Sequence, residues 1–247
     1  MTFQRDAAAG IHRVEDAFVN WYVVEGDERA LTIVDAGLPR SWSSLQRVLR
    51  ELGRSLDDVR ALVLTHAHFD HVGFAERLRR RGVPVMVTPQ DAELARHPLR
   101  YRNERSRLRY LSNPRFLRIL GAMTAAGALV TPAIRRVTTF SDGEQLAVPG
   151  TPRVVATPGH TFGHVALHLP DRDAVIAGDA IVMLDPYTGL PGPRLVARAA
   201  TADSAAAWAS LDRLAALEAT TVLTGHGPVW TDGTAAAVEH ARRAGQA

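Results

Sequence analysis

The chain has 247 residues, of which 46% are hydrophobic and 22% are charged. This balance is close to that of ordinary globular proteins, so it excludes wholesale disorder, a collagen-like fibre and a coiled coil. The sequence contains no cysteine, which excludes disulfides, thiolate metal sites, iron–sulfur clusters and cysteine nucleophiles. Any metal must therefore be bound by His, Asp or Glu side chains.

The basic residues are unusual in their identity, although the net charge is small. All 29 basic residues are arginine, and the formal net charge is only +3. Arginine stays protonated above the pH at which lysine titrates, so the high isoelectric point reflects residue choice. We therefore expect no nucleic-acid partner. The first ten residues lack a basic segment followed by an apolar run, so we expect no secretory signal and a cytoplasmic location.

The first part of the chain alternates strand and helix patterns. Short apolar runs and two-residue alternation predict strands, and apolar residues at helical spacing predict helices. The predicted order is strand 18–24, strand 31–34, helix 41–52, strand 61–64, helix 74–81 and strand 83–87. This order is typical of an α/β fold.

Residues 89–136 interrupt that order. The segment begins with an arginine-rich stretch, 96–118, and continues into the uncharged stretch 119–134, which is shorter than the ~20 residues of a membrane span. We predict a helical insert, or cap, in a single domain that covers 1–247, with no membrane span. The apolar part of the insert is expected to border either the substrate or a second subunit, as in a homodimer.

The second half is again rich in strands. Its predicted elements are strands 137–140, 153–156, 165–169 and 174–177, a Pro/Gly loop 185–193, helix 204–217, strand 221–223 and helix 234–243. Asp203 is placed to cap the first of these helices.

The densest chemical signal follows the predicted strand 61–64. His66, His68, Asp70 and His71 lie within six positions, between a strand and a helix. Alternate residues of an extended segment project the same way, so His66 and His68 can bind one cation as a pair. Asp70 and His71 can then face a second cation.

Three more predicted strands end in glycine followed by a metal-ligand side chain: His160, Asp179 and His226. Two metals about 3.5 to 4 Å apart need a shared ligand with two donor oxygens, and a carboxylate provides them. We therefore predict Asp179 as the bridge. The predicted sets are His66, His68, His160 and Asp179 for one metal, and Asp70, His71, His226 and Asp179 for the other.

These motifs, HAHFDH, GHTFGH, GD and GH, resemble those of the metallo-β-lactamase superfamily over nearly the whole chain. The resemblance implies a four-layer αββα sandwich with a binuclear site at one edge. It also implies that Asp35 supports the site without binding metal. True β-lactamases of this fold lack a bridging Asp or have a Cys there, so antibiotic cleavage is not expected. The sequence resembles instead the branch of glyoxalase II, acyl-homoserine lactonases and related hydrolases.

The expected function is hydrolysis of an ester, lactone or thioester bond in a small acyl substrate, by a hydroxide that bridges two divalent metals, most simply Zn²⁺, with Mn²⁺ or Fe²⁺ as alternatives. Asp70 is expected to assist the leaving group, and Tyr187 to polarise the substrate carbonyl. Two alternative functions stay open. One is a persulfide dioxygenase-like oxidoreductase with a single iron, and the other is a phosphodiesterase.

Several neighbouring residues have two readings. His164 either orients a ligand or fills the core, and the arginines of 96–118 either bind an anionic substrate group or face solvent. His12, His97, His168 and His240 have no second ligand type near them, so we predict structural roles.

Overall fold

A computed structural model describes all 247 residues, and two β-sheets dominate it. The first sheet has seven strands in chain order: β1 (Thr2–Ala8), β2 (Ile11–Asp16), β3 (Val19–Glu25), β4 (Leu31–Val34), β5 (Val59–Val63), β6 (Val85–Val87) and β7 (Thr138–Thr139). Strands β1 to β4 pair antiparallel, whereas β4 to β7 pair parallel. The parallel strands therefore present their carboxyl ends at one common edge.

The second sheet has four strands, and a separate hairpin follows it. The four are β8 (Arg153–Ala156), β9 (Val165–Leu169), β10 (Ala174–Gly178) and β13 (Thr221–Thr224), in the spatial order β13-β10-β9-β8. The hairpin consists of β11 (Val182–Leu184) and β12 (Pro191–Arg194). Only β10 and β13 are parallel neighbours in the second sheet.

Six α-helices complete the fold: α1 (Ser41–Glu51), α2 (Ala75–Arg79), α3 (Ala92–Arg96), α4 (Pro114–Ala125), α5 (Ser204–Ala215) and α6 (Thr234–Ala244). Helices α1 and α2 pack on the outer face of the first sheet, where Leu45 and Leu78 join one apolar core. Helices α5 and α6 pack on the outer face of the second sheet through residues such as Leu211 and Val238. A third core, which includes Tyr22 and Ile176, lies between the sheets. The layers are thus αββα, as predicted.

The N-terminal strands β1 and β2 are not among the predicted elements. Strand β1 is mostly exposed, and its sequence is polar and alanine-rich, so it lacks the alternation that identifies a strand. It is held by pairing with β2, an interaction that a local pattern does not encode. The predicted loop 185–193 is also wrong at its end, because Pro191–Arg194 pairs with Val182–Leu184 as an edge hairpin.

Residues 89–136 are less helical than predicted. They contain α3, α4 and three short 3₁₀ turns, Pro89–Asp91, Arg107–Tyr110 and Ala128–Val130. Residues 97–106 have no helix, since Pro98 lies two residues beyond the end of α3 and cannot continue it. Helix α4 begins at Pro114, with the Asn113 side chain as its cap, and ends before Gly127, whose φ is +99°. None of the helices has both the length and the apolar character that crossing a bilayer requires.

Candidate metal centre

The seven predicted ligands converge where the two sheets meet. Strand β5 leads into the loop that carries His66, His68, Asp70 and His71, and the ends of β8, β10 and β13 deliver the others. The ligand atoms of His66, His68 and His160 lie within 4.8 Å of one another. A second group, Asp70, His71 and His226, meets the same limit. The structure therefore brings six of the predicted residues together in two groups as predicted, and Asp35, His66 and His71 meet the same limit as a third group.

Asp179 lies between these two groups. Its Oδ2 is 3.4 Å from His160 Nε2 and 3.3 Å from His226 Nε2. Its Oδ1 is 3.8 Å from His71 Nε2. One carboxylate thus faces imidazoles of both groups, which is the position that a bridging ligand requires.

The buried donor atoms have too few partners within the protein. His66 Nε2, His71 Nε2, both ring nitrogens of His160 and Asp179 Oδ1 are buried without any hydrogen bond. An unsatisfied buried polar atom is costly, and native proteins seldom contain several together. Donors of this type and number fit divalent cations such as Zn²⁺, Mn²⁺ or Fe²⁺.

Three of the imidazoles are held in the tautomer that metal binding needs. His71 Nδ1 lies 3.0 Å from Asp35 Oδ2, and His226 Nδ1 lies 2.7 Å from the Phe18 carbonyl oxygen. Since these oxygens only accept hydrogen bonds, each Nδ1 carries the proton and each Nε2 keeps its lone pair. The Thr65 hydroxyl donates to Asp35 Oδ2 at 2.8 Å, so it accepts from His66 Nδ1 at 3.0 Å.

Asp35 occupies the position that the family resemblance implies. Its Oδ1 accepts the Thr65 backbone N–H at 2.8 Å, and its Oδ2 is the acceptor for Thr65 and His71. Both oxygens are therefore used to orient other groups. Its backbone has φ of +60°, which is uncommon for a residue other than glycine and costs of order 1–3 kcal/mol. The neighbouring hydrogen bonds hold this conformation.

Burial and nearby charge pull the pKa values of the cluster in opposite directions. Burial lowers the pKa of His160 to about 4, and the pKa values of His66 and His68 also fall well below 6.5. Burial acts the same way on His71, but the carboxylates of Asp35, Asp179 and Asp70 outweigh it and raise its pKa to about 10. The carboxylates around His71 therefore favour positive charge at its Nε2, whether from a proton or from a bound cation, whereas burial favours the neutral form of His66, His68 and His160.

His164 acts through hydrogen bonds. Its Nε2 accepts the Asp179 backbone N–H at 2.9 Å, so its Nδ1 carries the proton and donates to Thr157 Oγ1 at 2.8 Å. Both nitrogens are thereby used, which leaves none for a cation. Burial also lowers the pKa of His164 to about 3 and keeps the ring neutral. Of the two readings from sequence, the contacts favour the one in which His164 orients the neighbouring Asp179.

Asp91 is a supporting residue that the sequence analysis missed. Its buried carboxylate accepts from Ala67 N at 3.0 Å, from Thr161 Oγ1 at 2.7 Å and from Gly163 N at 2.9 Å. It thus joins the loop of His66 and His68 to the loop of His160. Its position in the turn that follows β6, at the same sheet edge as the other site residues, is a signal that could have identified it.

Gly225 leaves the space that Asp179 fills. A Cβ atom at position 225 would lie 1.9 Å from Asp179 Oδ1 and 2.7 Å from His71 Cε1. The glycine before His226 is therefore required by close approach rather than by an unusual turn.

The two predicted catalytic residues line one cavity next to the cluster. Asp70 Oδ2 lies 3.6 Å from His226 Nε2, and burial raises the pKa of Asp70 although both nearby imidazoles oppose it. Tyr187 stacks on Phe116 at a centroid distance of 5.3 Å, and its hydroxyl lies 3.2 Å from that of Tyr101. Tyr101, which sequence reasoning missed, approaches closer to the cluster, since its ring is 4.3 Å from that of His68.

The other histidines lie outside the two ligand groups. His12 Nδ1 accepts the Asp6 backbone N–H at 3.0 Å, and His240 packs on Trp230. The arginines of 96–118 are exposed, as a solvated face would be, but Arg100 and Arg102 line a cavity beside the cluster. Within the arginine-rich stretch, Arg100 and Arg102 therefore differ from arginines that only face solvent.

Comparisons with known proteins show what the chain as a whole is similar to. Residues 14–226 match the family model described as Metallo-beta-lactamase superfamily. The probable metallo-hydrolase YflN of Bacillus subtilis is 26% identical over 90% of this chain and 85% of its own length. The hydroxyacylglutathione hydrolase of Ruegeria pomeroyi is 29% identical over 83% of this chain, but only 61% of that enzyme is covered.

Two solved structures are similar over most of their length. The metallo-beta-lactamase family protein TTHA1429 from Thermus thermophilus superposes with a TM-score of 0.68, at 26% identity over 95% of this chain and 78% of the other. TTHA1623, solved in a di-iron-bound form, gives a TM-score of 0.64 at 29% identity over 91% of this chain and 95% of the other. Both support the fold described above.

Proposed function

Because this chain belongs to the metallo-beta-lactamase superfamily, we propose that it is a binuclear metal-dependent hydrolase that cleaves an ester, lactone or thioester bond of a small acyl substrate. The observation that carries this proposal is the Asp179 carboxylate between two groups of three donors. The likeness to a probable metallo-hydrolase and to a hydroxyacylglutathione hydrolase supports the reaction type.

In this proposal His66, His68 and His160 would hold one cation, Asp70, His71 and His226 would hold the other, and the Asp179 carboxylate would be shared by both. Two such cations would supply an activated water molecule and polarise the scissile carbonyl. Asp35 and the Phe18 carbonyl keep His71 and His226 in the binding tautomer.

Asp70 and Tyr187 are the proposed residues for proton transfer and carbonyl orientation. Asp70 is buried beside His226, so the carboxylate oxygen that does not hold a cation could accept a proton from the attacking water and pass it to the leaving group within the cavity. The Tyr187 hydroxyl can donate to a substrate carbonyl only when it accepts, rather than donates, in its hydrogen bond with Tyr101. The two tyrosines must therefore be tested together.

The test combines metal analysis with a substrate panel. Protein purified with Zn²⁺, Mn²⁺ or Fe²⁺ is analysed for metal content and then assayed on thioesters, esters, lactones, phosphodiesters and a persulfide. We expect close to two equivalents of metal and turnover of a carbonyl substrate. One equivalent of iron with persulfide-dependent oxygen uptake would replace the hydrolase with an oxidoreductase, and turnover of phosphodiesters alone would replace it with a phosphodiesterase.

A further inference from the structure

Two cavities of opposite character meet at the candidate metal centre. One has a volume of about 380 Å³ and the other about 80 Å³. Only three residues, His68, Tyr101 and His160, line both. Tyr101 packs against His68 on one side, and its hydroxyl contacts Tyr187 on the other. It therefore stands as a partition between the cavities, directly beside the proposed reaction centre.

The smaller cavity, here called the apolar arm, extends under α4. Away from the metal ligands its walls are mainly hydrocarbon: Phe116, Ile119, Leu120, Met123, Val196 and Ala200. The one arginine at this wall, Arg107, donates to the Tyr101 hydroxyl at 3.2 Å and lies over the Tyr101 ring, so its guanidinium is held against Tyr101. A short hydrocarbon group would be desolvated here at little polar cost.

The larger cavity, here called the cationic arm, opens on the other side of Tyr101. Arg100 and Arg102 line it, and neither guanidinium forms an ion pair or a side-chain hydrogen bond. Arg102 instead lies over the ring of Phe162, which is half exposed at the same wall.

The acidic residues of the cationic arm are already engaged. Asp91 accepts three hydrogen bonds within the protein. Glu93 contacts Arg96 at 3.0 Å and His97 at 3.4 Å. Hydrogen bonds do not cancel the charge of Asp91, so Asp91 and Glu93 together offset two of the three guanidiniums of Arg96, Arg100 and Arg102. One positive charge remains, and the side chains of Arg100 and Arg102 are free to bind a carboxylate or phosphate group.

We propose that the substrate has two unlike ends, a short hydrocarbon end in the apolar arm and an anionic end in the cationic arm, with the scissile bond between them beside Tyr101. This inference rests on the proposed function. It selects, among esters and thioesters, those that join an apolar part to a carboxylate- or phosphate-bearing part. Water adds to the carbonyl carbon, the C–O or C–S bond breaks, and the products are a carboxylic acid and an alcohol or thiol.

A set of synthetic substrates tests both ends separately. The hexanoyl and acetyl thioesters of 3-mercaptopropionate carry an anionic end, and the hexanoyl thioester of 3-mercaptopropanol is a neutral counterpart. The monohexyl ester of succinic acid places the anion on the acyl side and so covers the opposite orientation. We expect kcat/KM for the hexanoyl thioester of 3-mercaptopropionate, or for the monohexyl ester of succinic acid, to exceed that of the neutral thioester at least tenfold. Equal values for anionic and neutral compounds, or for acetyl and hexanoyl, would overturn the proposal.

Variants locate the two preferences in the two arms. The double variant Arg100→Gln/Arg102→Gln should reduce the anionic-to-neutral ratio of kcat/KM at least tenfold, whereas Arg50→Gln, on the exposed side of α1, should not change it. Leu120→Ala should reduce the hexanoyl-to-acetyl ratio. Leu117→Ala is the matched control, because Leu117 is on the same helix and exposed but lines neither arm.

A binding measurement separates this inference from the reaction. The thioether 3-(hexylthio)propionate has both ends but no carbonyl, so it cannot be hydrolysed. Calorimetry should show tighter binding than for 3-(hexylthio)propanol, with the difference lost in the double arginine variant. Such binding without any hydrolysis would sink the proposed function and keep the two-ended cleft. Hydrolysis of the carbonyl substrates without such binding would keep the proposed function and overturn the two-ended cleft.

Discussion

Asp179 and His164 form a pair whose members have different tasks although they are in contact. Asp179 faces both ligand groups, whereas His164 only fixes the Asp179 backbone and fills its other hydrogen bond with Thr157. Loss of the carboxylate therefore removes a donor from both proposed cations. Loss of the imidazole only loosens the position of that donor.

We predict that Asp179→Ala binds less than half the metal of the unaltered protein and loses kcat/KM by far more than His164→Ala. Mutation of a residue that orients a metal ligand, as His164 does, typically lowers metal affinity or activity about 10- to 100-fold. Metal analysis and steady-state kinetics measure both effects, and His240→Ala on the exposed surface of α6 serves as a control. Retention of both metals by Asp179→Ala would remove it as the bridge.

Asp91 allows a test in which no proposed ligand is changed. Asp91→Ala should weaken metal binding about 10- to 100-fold, since the loops of His68 and His160 lose their common acceptor. Titration with a competing chelator gives the affinity. Asp27→Ala, at an exposed turn, should bind metal like the unaltered protein. Equal affinity in both variants would show that the loops keep their positions without Asp91.

At the level of elements, the sequence identifies the parts whose signal is local. The HAHFDH run and the glycine-preceded His160, Asp179 and His226 each show their chemistry within a few residues, and β8 and β9 have the predicted bounds. Asp91 and Tyr101 belong to no such motif, and their roles depend on contacts with residues 24 to 86 positions away. Strand β1 fails for the same reason, since its partner strand supplies its stability.

Helix α2 is joined to the far end of the 89–136 segment through Glu76. The Glu76 carboxylate accepts from Arg79 at 2.7 Å, from Arg80 at 3.1 Å and from the Arg135 backbone N–H at 3.2 Å. The hydrogen bonds from Arg79 lead the effects that lower the pKa of Glu76 to about 2, from an ordinary value of 4.5. The carboxylate therefore stabilises the fold above pH 4.5, and this contribution disappears as the pH falls through 2.

We predict that Glu76→Gln lowers the free energy of unfolding by about 1 kcal/mol at neutral pH. The difference from the unaltered protein should shrink between pH 4.5 and 2, which denaturant titrations at several pH values would show. Glu93→Gln, whose ion pair is exposed, is the comparison. A deficit that persists unchanged at pH 2 would mean that the charge of Glu76 is not its cause.

For the molecule as a whole, the proposed cations would connect the two sheets. His66 to His71 follow β5 of the first sheet, while His160, Asp179 and His226 follow strands of the second. Anything that binds only the folded state stabilises it, by about 2.7 kcal/mol when its concentration is 100 times its Kd. Removal of metal should therefore lower Tm, and added Zn²⁺ should restore it in a concentration-dependent way. Calorimetry with and without chelator is the test, and an unchanged Tm would contradict it.

The homodimer expected through residues 89–136 stays a prediction. Leu108 is 73% exposed and Leu117 47% exposed in this segment, beside arginines and without any acidic residue from 105 to 136. Sedimentation of the unaltered protein and of Leu108→Asp would measure it. A dimer that dissociates in the variant supports the prediction, and a monomer in both rejects it.

The contacts between the two sheets also have a consequence for folding, because they determine when high affinity for a cation can arise. Across it, Val165 N donates to the Thr65 carbonyl at 2.9 Å, and Asn20 N donates to the Gly225 carbonyl at 2.7 Å. Each half of the chain alone carries only part of either proposed ligand set, because both sets draw on the two sheets. High affinity for a cation therefore arises only after the halves have docked. The rate of metal uptake during refolding would then report the rate of that docking step. A separated half of the chain would bind no cation tightly, whatever the protein concentration.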